Sequence, residues 1–77
     1  MSEQGLRVLV VDDEPAIRRF LRMSLTAHSF EVFEAATGEE ALAAVAAHRP
    51  DLVILDLGLP DIEGIEVTRR MLSLIHI

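Results

Sequence analysis

Short continuous apolar runs alternate along the chain with longer stretches in which apolar residues recur every three or four positions. Residues 7–11, RVLVV, are nearly all apolar rather than alternating. This is the pattern of a strand buried on both faces of a parallel sheet flanked by helices. Pro15 then suits a first helical turn, where its missing N–H leaves no bond unmade. From there Ile17, Leu21 and Leu25 recur at i+4 with Phe20 and Ser24 beside them, while Arg18, Arg19 and Arg22 lie on other faces. The spacing predicts an amphipathic helix of about four turns, with Ile17, Phe20 and Leu21 in the core.

Residues 30–37, FEVFEAAT, alternate Phe30, Val32 and Phe33 with Glu31 and Glu34, which predicts a half-exposed strand at a sheet edge. Thr37 and Glu40 have the T-x-x-E spacing of a capping box, so a helix is expected from Gly38 or Glu39. Ala41, Leu42, Val45 and Ala46 would form its buried stripe. HRPD ends it, and LVILD (52–56) reads as a second fully apolar strand closing on an acid. A loop, LGLPDIEG, follows, rich in residues that punctuate structure, and a third helix begins near Gly64 or Ile65. No internal repeat or linker interrupts the series. The order β-α-β-α-β-α implies an α/β domain with a parallel sheet and right-handed crossovers.

Size and composition narrow the functional classes. Seventy-seven residues make one small domain, and chains of this size bury only about 60% of the surface their unfolded form exposes. The absence of cysteine removes disulfides and thiolate metal sites. No apolar run approaches the roughly 20 residues of a membrane span. The start, MSEQGLR, lacks the basic and apolar regions of a secretory signal, so a cytoplasmic location is expected. The net charge of -6 argues against nucleic acid or an anionic membrane as direct partner of this segment. All the strongly basic residues are arginine; there is no lysine.

Both apolar strands end in aspartate, at Asp12 and Asp13 and at Asp56. In an open parallel sheet, ligands bind beyond the carboxyl ends of the strands, where the strand order reverses. If the first and third strands are neighbours, three carboxylates converge there. Such a cluster is costly unless a cation sits within it, and a hard divalent ion such as Mg2+ takes oxygen ligands of this kind. A single acid before a helix is usually only a cap that favours the helix dipole. Two adjacent acids after one apolar strand and another after the next favour an acidic pocket. The three histidines, His28, His48 and His76, sit at helix or chain ends without metal-ligand spacing and read as solvated or capping residues.

The stretches VLVVDDEP and PDLVILDLGLPDIEG resemble the receiver domain of bacterial two-component response regulators, over residues 6 to about 70. The resemblance implies a flavodoxin-like (CheY-like) parallel sheet with flanking helices and the strand order 2-1-3-4-5 of that class. It makes Asp56 the phosphoacceptor that attacks a phosphohistidine on a sensor histidine kinase. Asp13 would bind Mg2+ directly, Asp12 largely through water, and the Gly58 carbonyl would complete the protein's share. Pro60 and Gly64 would shape the loop that presents Gly58. Arg18, Arg19 and Arg22 are otherwise a solvated helix face, but in receivers this first helix is where the kinase docks. LDLGLPD is particularly similar to receivers attached to winged-helix transcriptional regulators, including those of potassium transport. Any DNA contact would then be made by an output domain outside this chain, and a homodimer is compatible with the family.

A complete receiver has five strands and five helices, so residues 1–77 are expected to be a partial receiver domain, cut off after the third helix. The Ser or Thr after a fourth strand and the Lys after a fifth have no counterpart here. The tail MLSLIHI (71–77) departs from the family and would at most extend the helix, with Met71, Leu72 and Ile75 sharing a face. The third strand would expose an apolar edge, an invitation to aggregation or to pairing with another chain. A poorly stable signalling phosphoacceptor, weak in phosphotransfer and not an enzyme, is the expectation. Two alternatives stand beside it. One is a degenerate or truncated receiver serving only as an interaction module. The other is an aspartate-nucleophile phosphatase of the haloacid dehalogenase type, which wants an acid two residues past the nucleophile, where this chain has Gly58.

Overall fold

The computed structural model of the chain describes residues 5–56 and 61–74. Its elements follow in the order β1 (Arg7–Val11), α1 (Pro15–Ala27), β2 (Glu31–Ala35), α2 (Gly38–His48), β3 (Leu52–Leu55) and α3 (Gly64–Leu74). The strands form one parallel sheet in the order β2-β1-β3. Leu9 pairs with Phe33 on one side and Val53 on the other, and Val11 with Ala35 and Leu55.

Central placement explains the continuous apolar run of β1, in which Val8 to Val11 are all buried. Side chains alternate across a pleat. Leu9 and Val11 enter a core with Ala35, Ala41, Val45, Val67 and Met71 from β2, α2 and α3. Val8 and Val10 point to the other face, where α1 lies against β1 and β2. Strand β2 is the charged edge: Glu34 pairs with Arg18 and Arg22, and Glu31 with Arg7. Such charge discourages strand addition.

Strand β3 departs from the fully buried strand expected of LVIL. Leu52 is 54% exposed and Val53 to Leu55 are only half-buried. Among the described residues β3 pairs with β1 alone, so its other side is open.

The core assignment for α1 is corrected. Ile17 is 44% exposed and Phe20 67%, with Met23 on the same stripe, and no residue of the helix is fully buried. The helix turns Leu21, Ser24 and Leu25 part-way toward the sheet, while the Ile17–Phe20–Met23 flank faces solvent.

Helix α2 begins at Gly38, as its cap spacing predicts. The Thr37 Oγ1 accepts from the Glu40 N–H at 3.1 Å, but the Glu40 carboxylate accepts from the Ala36 N–H at 2.8 Å, one residue earlier than a standard capping box. Its buried stripe is Gly38, Ala41 and Val45; Leu42 is half-buried, and Ala46 is exposed rather than buried. Gly38 allows a close crossing, since a Cβ there would stand 2.9 Å from Val67 Cγ2 and 3.0 Å from Ile62 Cβ.

Helix α3 buries Gly64, Val67 and Met71 on the same seam. The helix does run into the tail, to Leu74, but Leu72 is 55% exposed and does not share the face of Met71. Ile75 and His76 lie outside the described residues.

Candidate metal centre

Adjacent parallel strands carry their carboxyl ends to one edge of the sheet, and the hydrogen bonds just beyond the strands hold the acids there. The Asp12 N–H donates to the Ala35 carbonyl at 3.1 Å, and the Asp56 N–H to the Val11 carbonyl at 2.9 Å. Asp12 and Asp56 are half-buried and Asp13 is exposed. One carboxylate oxygen from each of Asp12, Asp13 and Asp56 lies within 4.8 Å of the other two. The convergence expected from the β1–β3 neighbourhood is present. Gly58 and Pro60 fall outside the described residues.

The acids are not simply helix caps. Glu14, at the N-cap position of α1, makes no side-chain capping bond. Instead Asp12 Oδ1 accepts from the Glu14 N–H at 2.9 Å, which turns the chain into α1 and steadies the Asp12 side chain. Three oxygens of an all-carboxylate set form a hard donor group suited to Mg2+, which binds a few carboxylates and retains water on its other positions. The residues present fit such an ion.

Two further residues tie together elements near the cluster, and sequence reading missed both. Arg18, read as part of a solvated patch, donates from a terminal nitrogen to the Asp12 carbonyl at 2.7 Å and from Nε to Glu34 at 3.2 Å. It ties the end of β1 to α1 and β2. The only available signal was a basic residue one helical turn inside α1 with an acid on the next strand. Asp61 sends its two oxygens to the Gly38 and Glu39 N–H groups of α2, at 2.7 and 3.0 Å. Those bonds hold its carboxyl below the usual carboxylate range. In the sequence Asp61 is only part of the loop LGLPDIEG, and nothing local points to α2.

The two described histidines, His28 and His48, remain outside the site. His28 Nδ1 lies 2.9 Å from the Ser24 carbonyl at the end of α1. His48 stacks on Phe33 with ring centroids 4.0 Å apart. No described helix is long and apolar enough to cross a membrane.

A three-stranded parallel α/β sheet with three carboxylates gathered past the ends of β1 and β3 defines an open-sheet domain with a cation-competent acidic site. The chain belongs to the response regulator receiver domain family, whose model matches residues 8–75. Its sequence is 60% identical over 60 residues to the transcriptional regulatory protein KdpE of Mycobacterium tuberculosis, a match covering 78% of this chain and 26% of that protein. The fold superposes on a CheY-like receiver from Methanospirillum hungatei with a TM-score of 0.87 at 36% identity, over 90% of this chain and 55% of the other. A further similar structure is the response regulator TrrA of Thermotoga maritima in complex with Mg2+-BeF. Its TM-score is 0.83 at 44% identity, over 88% of this chain and 59% of that one. The chain thus spans about a quarter of the length of the curated relative and somewhat over half of these solved structures.

Proposed function

We propose that Asp56 receives a phosphoryl group from a phosphohistidine on a sensor kinase, with Mg2+ held by Asp12, Asp13 and Asp56. The observation that carries this reading is the approach of the three carboxylates to within 4.8 Å at the end of the sheet. The Mg2+-BeF complex of the similar TrrA supports it. Bound there, the ion would neutralise charge on the acceptor carboxylate and on the phosphoryl oxygens.

The chain's own part is nucleophilic attack and positioning. A carboxylate oxygen of Asp56 attacks phosphorus as the N–P bond of the phosphohistidine breaks. The electron pair of that bond stays on the imidazole nitrogen, which takes up a proton, and Asp56 becomes an acyl phosphate. The Asp56 N–H bond to Val11 fixes the acceptor's backbone, and Arg18 fixes that of Asp12. Kinase docking on α1 suits the exposed flank of Ile17, Phe20 and Met23. The chain is then a phosphoacceptor rather than an enzyme, and its parent acts on transcription, as the name of the similar KdpE states for that protein.

No lysine within these 77 residues can pair with the phosphoryl oxygens, so labelling of this chain alone is expected to be slow. The test is incubation with acetyl phosphate with and without Mg2+, read by intact mass. Slow, Mg2+-dependent addition of one phosphoryl group that disappears in Asp56→Asn is expected. Labelling that persists in Asp56→Asn, or none at all with Mg2+, would sink the acceptor assignment for this chain.

A further inference from the structure

The first three N–H groups of α2 are capped from two different places. Thr37 Oγ1 serves the Glu40 N–H locally, while Asp61 serves those of Gly38 and Glu39 from 23 and 22 residues away. The next donor, the Ala41 N–H, enters the ordinary helical ladder through the Thr37 carbonyl. Helix N-termini leave orphan donors that need such partners. A local residue can supply them, so a remote carboxylate doing it links two parts of the chain.

The parts linked are α2 and the segment that leaves the acceptor. Asp61 stands five positions after Asp56. The near end of that span is held by the Asp56 N–H bond to Val11. Its far end is held by two hydrogen bonds to a carboxylate at the positive end of a helix, the stronger, charge-assisted kind. A second observation places the same segment on α2: Ile62, next in sequence, sits so close to Gly38 that a Cβ there would meet its own Cβ at 3.0 Å.

We propose that Asp61 is a positioning residue for the phosphoacceptor, clamping the chain beyond Asp56 onto the N-terminus of α2 so that the acceptor carboxylate stays turned toward Asp12 and Asp13. The proposal rests on the reading of Asp56 and its neighbours as an Mg2+-assisted acceptor site. Asp56 and Asp61, five positions apart, are thus each anchored, one on β1 and the other on α2. A site held by locked supporting contacts keeps its ligands in register. Releasing Asp61 leaves the three acids present but less often convergent.

The experiment uses the whole 77-residue chain, labelled with 15N, and follows the Asp12, Asp13 and Asp56 amides during titration with MgCl2. Four proteins are compared: the parent, Asp61→Asn, Asp61→Ala and Thr37→Ala, each also unfolded in urea. Thr37→Ala removes the neighbouring cap of the same helix without touching the acceptor's segment. Mg2+ affinity should fall roughly tenfold in Asp61→Ala, fall less in Asp61→Asn, and hold in Thr37→Ala despite its loss of stability. Equal weakening in Asp61→Ala and Thr37→Ala would mark a purely structural cap and overturn the proposal, as would unchanged affinity in both Asp61 variants. If Asp61→Ala does not fold, the comparison of Asp61→Asn with Thr37→Ala decides. A parent chain whose three amides ignore Mg2+ would refute the acceptor-site reading itself, and the positioning role with it.

Discussion

The Asp56 N–H donates to the Val11 carbonyl at 2.9 Å, which sets the acceptor candidate beside the residue that precedes Asp12 and Asp13. This bond turns sequence separation into proximity. It also brings like charges together, so a cation that binds the cluster stabilises the folded chain.

Added Mg2+ should therefore raise the melting temperature, with a gain of about 2.7 kcal/mol when the ion stands at 100 times its dissociation constant. Asp13→Asn should abolish most of that gain. Without metal the same variant should be as stable as the parent or slightly more so, because one like charge is gone. Thermal melts with MgCl2 and with EDTA separate the two effects.

Acid should weaken the fold through Asp61. Its folded carboxyl is held below the ordinary value of 3.8, first by the Gly38 N–H and then by the Glu39 N–H. A lowered folded value means the unfolded state binds the proton more readily. Its contribution is thus complete above the unfolded value and is lost as pH falls through the folded one. Urea unfolding across that acid range should show a shallower slope in Asp61→Asn. Part of the slope should remain, because Glu66 is also lowered, by hydrogen bonds from Arg69 and then Arg70.

Gly38→Ala pits two effects against each other. Alanine is a better helix former by about 1 kcal/mol in a helix interior, and this first-turn position realises only part of that. Against it, the new Cβ would stand 2.9 Å from Val67 and 3.0 Å from Ile62, and overpacking of this kind costs roughly 1–3 kcal/mol. The clash wins, and chemical denaturation should show a net loss.

Two substitutions of large apolar residues should differ sharply. Phe20→Gln, on the solvent-facing flank of α1, should change stability by no more than about 0.5 kcal/mol. Leu9→Ala, in the fully buried centre of β1, should cost about 2–5 kcal/mol. Similar losses from both would show that the flank of α1 is covered in solution.

Much of the fold was legible from periodicity. The β1 run, the Pro15 start of α1, the Thr37 cap and the β3 run each fell where the pattern placed them, because strand and helix periods report burial over a few neighbouring residues. The acidic cluster was legible for the same reason, as acids at the ends of apolar strands. The misassignments came where one pattern admits two packings. Phe20 and Leu21 both look like core in an amphipathic helix, and only the seating of α1 on β1 and β2 buries one more than the other. Ala46 and Gly38 exchange roles on α2 by a modest rotation about its axis.

The sequence by itself determined the order of elements, the buried character of β1 and the delivery of Asp12, Asp13 and Asp56 to strand ends, since these depend on local alternation of apolar and polar groups. The placement of β1 between β2 and β3 followed from the family resemblance and not from periodicity, and only the tertiary structure decided that Arg18 reaches the Asp12 carbonyl and that Asp61 caps α2. Those outcomes depend on sheet order and on helix seating, which bring together residues far apart in the chain, and no local periodicity encodes such distances.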